Sequence, residues 1–566
     1  MSILDFDRLL FNKKKPPGIL IGHNAITGEP VYIKEDDRKV HQHLIGGSGS
    51  GKSKLIELQI RNDIKAGRGM LIIDPVGDLA DEIRDYIAHN HLGDKLIYFD
   101  ANDDDYSIGL NNLEFDDNIR SSTAHVSEVM KGIAKVFGNE NVEAMPQLQR
   151  WERDALIALT EAKLTLIELT LFMRYANVRD YVMLSVGQTE IKDEWTYFNT
   201  ITKSTQESYS GALFNRANKF TIGQNVRRIF GQDRTTIDLK KAMDNGMIVL
   251  CNLARKKISE EEQKMLAISI IDKVVQAGLS RANIPRDRRR PFYVYLDEFG
   301  LFVSRDIAVA LWELRKFNVR FILAHQELGQ IEDEQLLSAV LSEPQVKVAF
   351  RVGREDAEKM MLEMFAGQIH GDEIKFDNYI TTELHEEETR TIRVSALSDG
   401  TGRNKGGGKA SGQSQIPASN WSMPDSGENI TSFFMSANDI DSLTSSSTIS
   451  DSVTEVPFLK PVRVQQLSSR QFYSLEEMKE KFISWIQAQP DRHAIVKIGK
   501  EKPIPVVIAN VKKVKATEYD IKKVKEQSNS KYALPSLVVD HLIEQRREKI
   551  LTEANEMNSL PERRKK

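Results

Sequence analysis

Gly46-Gly47-Ser48-Gly49-Ser50-Gly51-Lys52-Ser53 is the stretch that decides how this chain is read. It fits the spacing G-x-x-x-x-G-K-[ST], in which each residue type has a physical task. Glycines let successive backbone N–H groups wrap around a phosphate, and a helix opening at the lysine adds its positive dipole end. Lys52 is placed to reach the β- and γ-phosphates of a nucleoside triphosphate, and the Ser53 hydroxyl to ligate Mg²⁺, so ATP and Mg²⁺ are the expected cofactors. The context is the one the motif requires. A short apolar run, His43–Ile45, precedes it and an amphipathic run, Leu55–Ile64, follows.

Working outward, five further short runs rich in Val, Ile, Leu, Phe or Tyr lack polar alternation: Met70–Asp74, Met247–Leu253, Phe292–Asp297, Arg320–His325 and Val346–Val352. Such runs read as strands of a parallel sheet buried on both faces. Ligands of open parallel sheets bind beyond the carboxyl ends of the strands, and that rule sorts the polar candidates. Phe292–Leu296 ends in Asp297-Glu298, so Asp297 is expected to hold Mg²⁺ with Ser53, and Glu298 to orient or deprotonate the attacking water. Arg320–Ala324 ends in His325-Gln326, which makes Gln326 a candidate sensor of the γ-phosphate or of the attacking water. Arg255, Lys256 and Lys257 follow the third strand in one loop and are either a solvated surface or a grip on DNA. The run Arg286, Arg288, Arg289 and Arg290 precedes its strand and belongs at the opposite end of the sheet.

Composition bounds the partners. The chain has 566 residues, 78 Lys or Arg against 82 Asp or Glu, and a net charge of −4. A chain so balanced is no polybasic nucleic-acid coat, and contact with DNA phosphates must be local. One cysteine, Cys251, excludes an internal disulfide framework and a cysteine-based zinc or iron–sulfur site. No run approaches the roughly 20 apolar residues needed to span a bilayer, and the expected location is cytoplasmic, with any membrane docking peripheral.

The organisation expected is an α/β RecA-like P-loop NTPase core over residues 43–114 and 216–395. An N-terminal tail (1–17) and a β-hairpin (18–42) precede it. About 170 residues separate the second and third strands, and steps of three or four between Leu156, Leu159, Ala162, Leu166 and Leu169 predict an inserted all-helical domain over 115–215. A Ser- and Gly-rich linker is expected over 396–455. A small α+β region and charged tail follow over 456–566, with a helix near Ser474–Ala488 and strands at Ala494–Ile498 and Ile504–Val511.

The hairpin, Arg38-Lys39-Val40-His41 leading into the glycine loop, Leu71-Ile72-Ile73-Asp74-Pro75, Leu296-Asp297-Glu298-Phe299-Gly300 and Ala324-His325-Gln326 occur in a specific order. In that order the chain resembles the coupling-protein ATPases of conjugation and type IV secretion (TraG/TraD-like), within the HerA/FtsK branch of P-loop motors. The resemblance covers about residues 18–380, and Lys531-Tyr532-Ala533-Leu534-Pro535 is similar to that family's C-terminal region. It implies an ATP-driven DNA translocase, a homohexameric ring with ATP between subunits and DNA in the centre, with relaxase or secretion-channel proteins as partners. The alternatives are a motor of the same branch for DNA processing, segregation or packaging, or a slow ATP-gated docking platform. It also implies an arginine supplied by the neighbouring subunit, whose matching position is Arg315, with Arg354 and Arg351 next. Two departures stand out. Many relatives begin with transmembrane helices, and Val76 stands where relatives often carry a basic residue. Asp78 is expected to cap the following helix.

Overall fold

Parallel strands buried on both faces carry no polar alternation, because each side chain meets a packed layer whichever way it points. The computed structural model describes residues 18–115, 121–136, 146–221, 223–302, 305–370, 373–397 and 449–559. The chain divides into two units, one comprising Met1–Gly371 with Ser474–Lys566 and the other Asp372–Tyr473.

The first unit is built on an eleven-stranded sheet. Its strands are β1 (Gly18–Asn24), β2 (Pro30–Lys34), β3 (Gln42–Ile45), β4 (Gly69–Asp74) and β5 (Leu96–Asp100). After the two-residue β6 (Tyr106–Ser107) come β7 (Ile248–Asn252), β8 (Phe292–Leu296), β9 (Val319–His325) and β10 (Val346–Ala349). The second unit supplies β11 (Ile374–Leu397) and β12 (Ile449–Phe472), and the chain then returns with β13 (His493–Ile498), β14 (Ile504–Ile508) and β15 (Leu534–Pro535). The order is β2-β1-β14-β13-β10-β3-β9-β8-β4-β7-β5. From β10 to β5 every pairing is parallel. From β10 outward to β2 every pairing is antiparallel. The six sequence-read strands all lie in the parallel part, which ends at the edge strand β5.

Strand residues alternate between two cores. Leu71, Ile73, Val249, Cys251, Val294 and Leu296 pack on one face with the helices of the long insertion and with the helix Glu260–Leu279. Met70, Ile72, Leu250, Tyr293, Tyr295 and Leu44 pack on the other with Leu55, Ile56 and Ile60 of the helix Lys52–Lys65. Burial pushes the Cys251 thiol well above its ordinary pKa, so it is an inert core residue. Among the described residues no helix is long and apolar enough to cross a membrane.

The insertion is helical, running in pieces from Ser122 to Phe230, and Pro146 opens one of its helices. Its apolar side chains, including Trp151, Leu156, Phe172 and Trp195, share one continuous core with the sheet. The insertion is thus not a separate compact unit. The last helix, Ser536–Ser559, packs on it through Ile550 and Ala554, and Arg228 pairs with Asp540 at 2.7 Å.

Three expectations need adjustment. The strands expected in a small C-terminal region complete the main sheet, because β13 pairs with β10 from Val346↔Ile498 to Ala349↔Ile495. The middle of the expected linker, 398–448, and the tails 1–17 and 560–566 lie outside the described residues. Residues 396–397 and 449–455 continue β11 and β12, whose register runs from Ile374↔Phe472 to Leu397↔Ile449, so residues 374–395 form this hairpin rather than core. Finally, Asp78 is the first helical residue, after Gly77 at φ 102°. The capping task falls to the buried Asp74, which accepts from Ala80 N–H at 2.7 Å and Val76 N–H at 2.9 Å.

Candidate functional site

The glycine loop joins the end of β3 to the helix Lys52–Lys65. Gly49 and Gly51 take φ values of 73° and 116°, conformations that L side chains rarely adopt. Gly46 is constrained differently, since a Cβ there would lie 2.5 Å from Phe350 Cβ. The loop is anchored by Gly46 N–H donating to His325 C=O at 3.3 Å and Gly47 N–H to Arg351 C=O at 2.9 Å. Lys52 folds back over it, its Nζ donating to the carbonyls of Gly46 and of Gly47 (3.3 Å to the latter).

Registry delivers the acids to this loop. In β3, β9 and β8 the residue pairs Ile45↔His325 and Ile322↔Tyr295 set the carboxyl ends side by side. Ser53 Oγ donates to Asp297 Oδ2 at 3.2 Å. Gln326 Nε2 donates to Glu298 Oε1 at 2.9 Å. Glu298 itself sits at φ 49°, which is strained for a non-glycine residue and concentrates at working sites. Sequence-picked Lys52, Ser53, Asp297, Glu298 and Gln326 therefore meet in one place.

Electrostatics distinguish the two acids. Burial pushes the Asp297 carboxyl up to about 7, helped by the charges of Asp74 and Glu298 and opposed by Lys52 and Ser53. Burial likewise lowers the Lys52 ammonium, with Glu298 and Asp297 countering. A buried carboxylate crowded by two more acids is a donor set short of positive charge. The Ser50 hydroxyl within the glycine loop is buried without a partner. Both features fit Mg²⁺ at Ser53 and Asp297 and a phosphate in the loop. Among the described residues no cluster of three or more His, Cys, Asp or Glu could hold a metal alone, so such an ion would need nucleotide oxygens.

The raised Asp297 pKa has a measurable consequence. Between about pH 4 and 7 the folded state keeps a proton that the unfolded chain has released, so stability falls as pH rises through this window. Without nucleotide or metal, Asp297→Asn is expected to flatten that fall, which has a limiting slope of about 1.4 kcal/mol per pH unit. Thermal midpoints of both proteins in chelator from pH 5 to 8 check this, the variant gaining most at the alkaline end.

Sequence reasoning missed a pair behind the loop. His43 Nε2 and His325 Nε2 lie 2.7 Å apart, with rings stacked at 5.0 Å, so one ring donates and the other accepts. Burial holds His325 down to about 4 and His43 well below its usual value, keeping both neutral. This bond links the strand entering the loop to the strand carrying Gln326. It was illegible because nothing local in the sequence pairs β3 with β9.

The basic candidates separate. Arg315 lies before β9, near His41, at the end of the sheet opposite the glycine loop and about 20 Å of strand away from it. Arg255, Lys256 and Lys257 form an exposed loop after β7, where Arg255 pairs with Glu260 at 2.8 Å and Lys257 with Asp104. In the Arg286–Arg290 run, Arg289 is buried and donates to the carbonyls of Ile284 (2.8 Å), Lys316 (2.6 Å) and Ala282 (3.2 Å). It is a structural tether. Arg354 is held by Glu358 and Glu480.

A parallel sheet with the glycine loop after one strand, Gln326 after the next and an acid pair after the third is the arrangement of the RecA-like P-loop fold. Residues 19–274 match the family model described as the central domain of helicase HerA. No curated protein matches the chain. Among solved structures it is similar to the unbound monoclinic form of the bacterial conjugative coupling protein TrwBΔN70. That alignment has 14% identity, covers 91% of this chain and 93% of the other, and has a TM-score of 0.49. For plasmid coupling protein TrwB in complex with ADP and Mg²⁺ the values are 14%, 91%, 95% and 0.47. For VirB4 of Thermoanaerobacter pseudethanolicus they are 15%, 65%, 94% and 0.45.

Proposed function

We propose that the chain is an ATP-driven DNA translocase, acting as a homohexamer in the manner of a coupling protein of conjugation or type IV secretion. The observation that carries the reading is the convergence of Lys52, Ser53, Asp297, Glu298 and Gln326 at the carboxyl ends of three adjacent strands. A water-orienting acid beside the glycine loop favours hydrolysis over transfer to another substrate. The match of residues 19–274 to the HerA central domain supports a motor.

Bound Mg²⁺–ATP supplies the phosphoanhydride to be cleaved and the metal charge that offsets the phosphates. Lys52 and the loop backbone bind the phosphates, and Ser53 and Asp297 hold the metal. Glu298 orients water and takes its proton, while Gln326, bonded to Glu298, reports the state of the site along β9. Arg315 serves the neighbouring subunit's site, a role supported by its distance from its own glycine loop. DNA meets the loop Arg255, Lys256 and Lys257, and its phosphates displace the acids that now pair with two of these cations. Relaxase or secretion-channel proteins are the partners of this reading, with any membrane docking made through them.

Those same ion pairs favour a second reading, an ATP-gated docking platform with slow turnover. Steady-state hydrolysis with and without single- and double-stranded DNA separates the two. The translocase reading expects strong stimulation by DNA, weakened when Arg255, Lys256 and Lys257 are all replaced by alanine. A slow rate indifferent to either DNA contradicts it. Stimulation that survives the triple replacement removes this loop from the DNA path.

A further inference from the structure

The acid pair and Gln326 flank the glycine loop on one side only. Across the sheet the order is β8-β9-β3-β10-β13, so Asp297, Glu298 and Gln326 stand on the β8–β9 side of β3. A triphosphate lying in the loop with its terminal phosphate toward Asp297 and Glu298 must send its nucleoside the other way, past β10 and β13. What lies there is a built wall. The Asp491–Arg492 turn before β13 abuts the loop, with Arg492 N–H donating to Ser50 C=O at 2.9 Å. A Cβ on Gly51 would meet Arg492 Cα at 3.3 Å. The turn is clamped from behind, because Arg492 donates from its guanidinium to Ile508 C=O at 2.9 Å and accepts from Ile508 N–H at 2.9 Å.

Beside that wall stands Arg351, the residue whose carbonyl receives Gly47 N–H. Its guanidinium is about half exposed, and Asp491 Oδ1 accepts from its Nη2 at 2.9 Å. Arg354 nearby is committed to Glu358 and Glu480. We propose that Arg351 and Asp491 form the nucleobase subsite of the ATP site. The flat guanidinium face of Arg351 stacks on the purine ring, and Asp491 fixes that face at the mouth of the loop. Asp491 is a positioning residue, since it acts through Arg351. The inference rests on the ATP-binding reading above and adds which end of the ligand each flank of the loop recognises. It also gives the C-terminal strands a function, because Asp491 and Arg492 reach the loop only by β13 pairing with β10.

The test compares two ligands on the full chain, ATP and inorganic tripolyphosphate, each with Mg²⁺ and each measured by calorimetry. Arg351→Ala is expected to weaken ATP about tenfold, a cation–π loss of ordinary size, and to leave tripolyphosphate unchanged. Arg351→Lys, which keeps the charge but loses the flat face, is expected to restore little. Asp491→Ala is expected to move ATP in the same direction by less. Lys52→Ala, as the control, weakens both ligands. An Arg351→Ala protein with unaltered ATP affinity overturns the proposal. So does one that loses both ligands equally, since Arg351 would then act through the loop backbone. A wild-type protein that binds neither ligand defeats the ATP reading itself, a result distinct from either.

Discussion

Glu298→Gln is expected to lower the rate of ATP hydrolysis by about 10²–10⁴-fold, the range for loss of a general base, with ATP affinity changed by less than about threefold. The substitution keeps the side-chain shape and an oxygen that can still accept from Gln326 Nε2, which now lies 2.9 Å from Glu298 Oε1. It removes only the capacity to take a proton. The φ of 49° is as strained for glutamine as for glutamate, so folding should be unaffected. Single-turnover hydrolysis and equilibrium binding, measured on the same preparation, check the two halves of this expectation. An equal loss of affinity would assign Glu298 to ligand binding, and an unchanged rate would remove it from the chemistry.

The second large effect lies at the opposite end of the sheet and concerns stability. Arg38 and Asp63 are wholly buried and joined bidentately, Nη1 to Oδ1 at 2.6 Å and Nη2 to Oδ2 at 2.8 Å. Tyr295 Oη donates to Asp63 Oδ2 at 2.6 Å, Arg68 Nη1 donates to Oδ1 at 2.7 Å, and the Arg38 guanidinium lies 4.2 Å from the Tyr293 ring centre. Burial alone would raise the Asp63 pKa, but Arg38, Tyr295 and Arg68 outweigh it and hold the carboxyl below its ordinary value. Arg38→Met therefore leaves a buried carboxylate short of its main partner, at an expected cost of about 3–5 kcal/mol. Arg38→Met combined with Asp63→Leu is expected to recover part of that loss, because the apolar pair removes the unpaired buried charge while Tyr295 Oη and Arg68 lose their acceptor. Chemical denaturation of the two variants beside wild type checks the difference. If the double variant is as unstable as the single one, the network matters for its shape rather than its charge balance.

The parallel half of the fold was legible because its strands are short, apolar and bounded by turns, and because the glycine loop marks the carboxyl end of the sheet as the place to look for polar partners. Asp297, Glu298 and Gln326 followed from that rule, since each directly follows a readable strand. What stayed hidden depends on pairings between distant segments. Nothing in His493–Ile498 says that it lies against Val346–Ala349, so the contact of Arg492 with Ser50 could not be foreseen. The Arg38–Asp63 pair was hidden for the same reason, as both residues look like ordinary surface charges in the sequence. The long strands β11 and β12 were missed on other grounds. Their side chains are largely exposed, so no buried face imposes the alternation that marks a half-buried strand.

DNA-stimulated ATP turnover tells a fast motor from a slow docking platform, and the most direct measurement of translocation itself is movement along DNA. A linear duplex carrying streptavidin on a terminal biotin would be incubated with the full chain and ATP, and streptavidin release followed over time. Translocation predicts release that requires hydrolysable ATP and disappears with Glu298→Gln. Brisk DNA-stimulated hydrolysis without any release, on single- or double-stranded substrates, would contradict translocation.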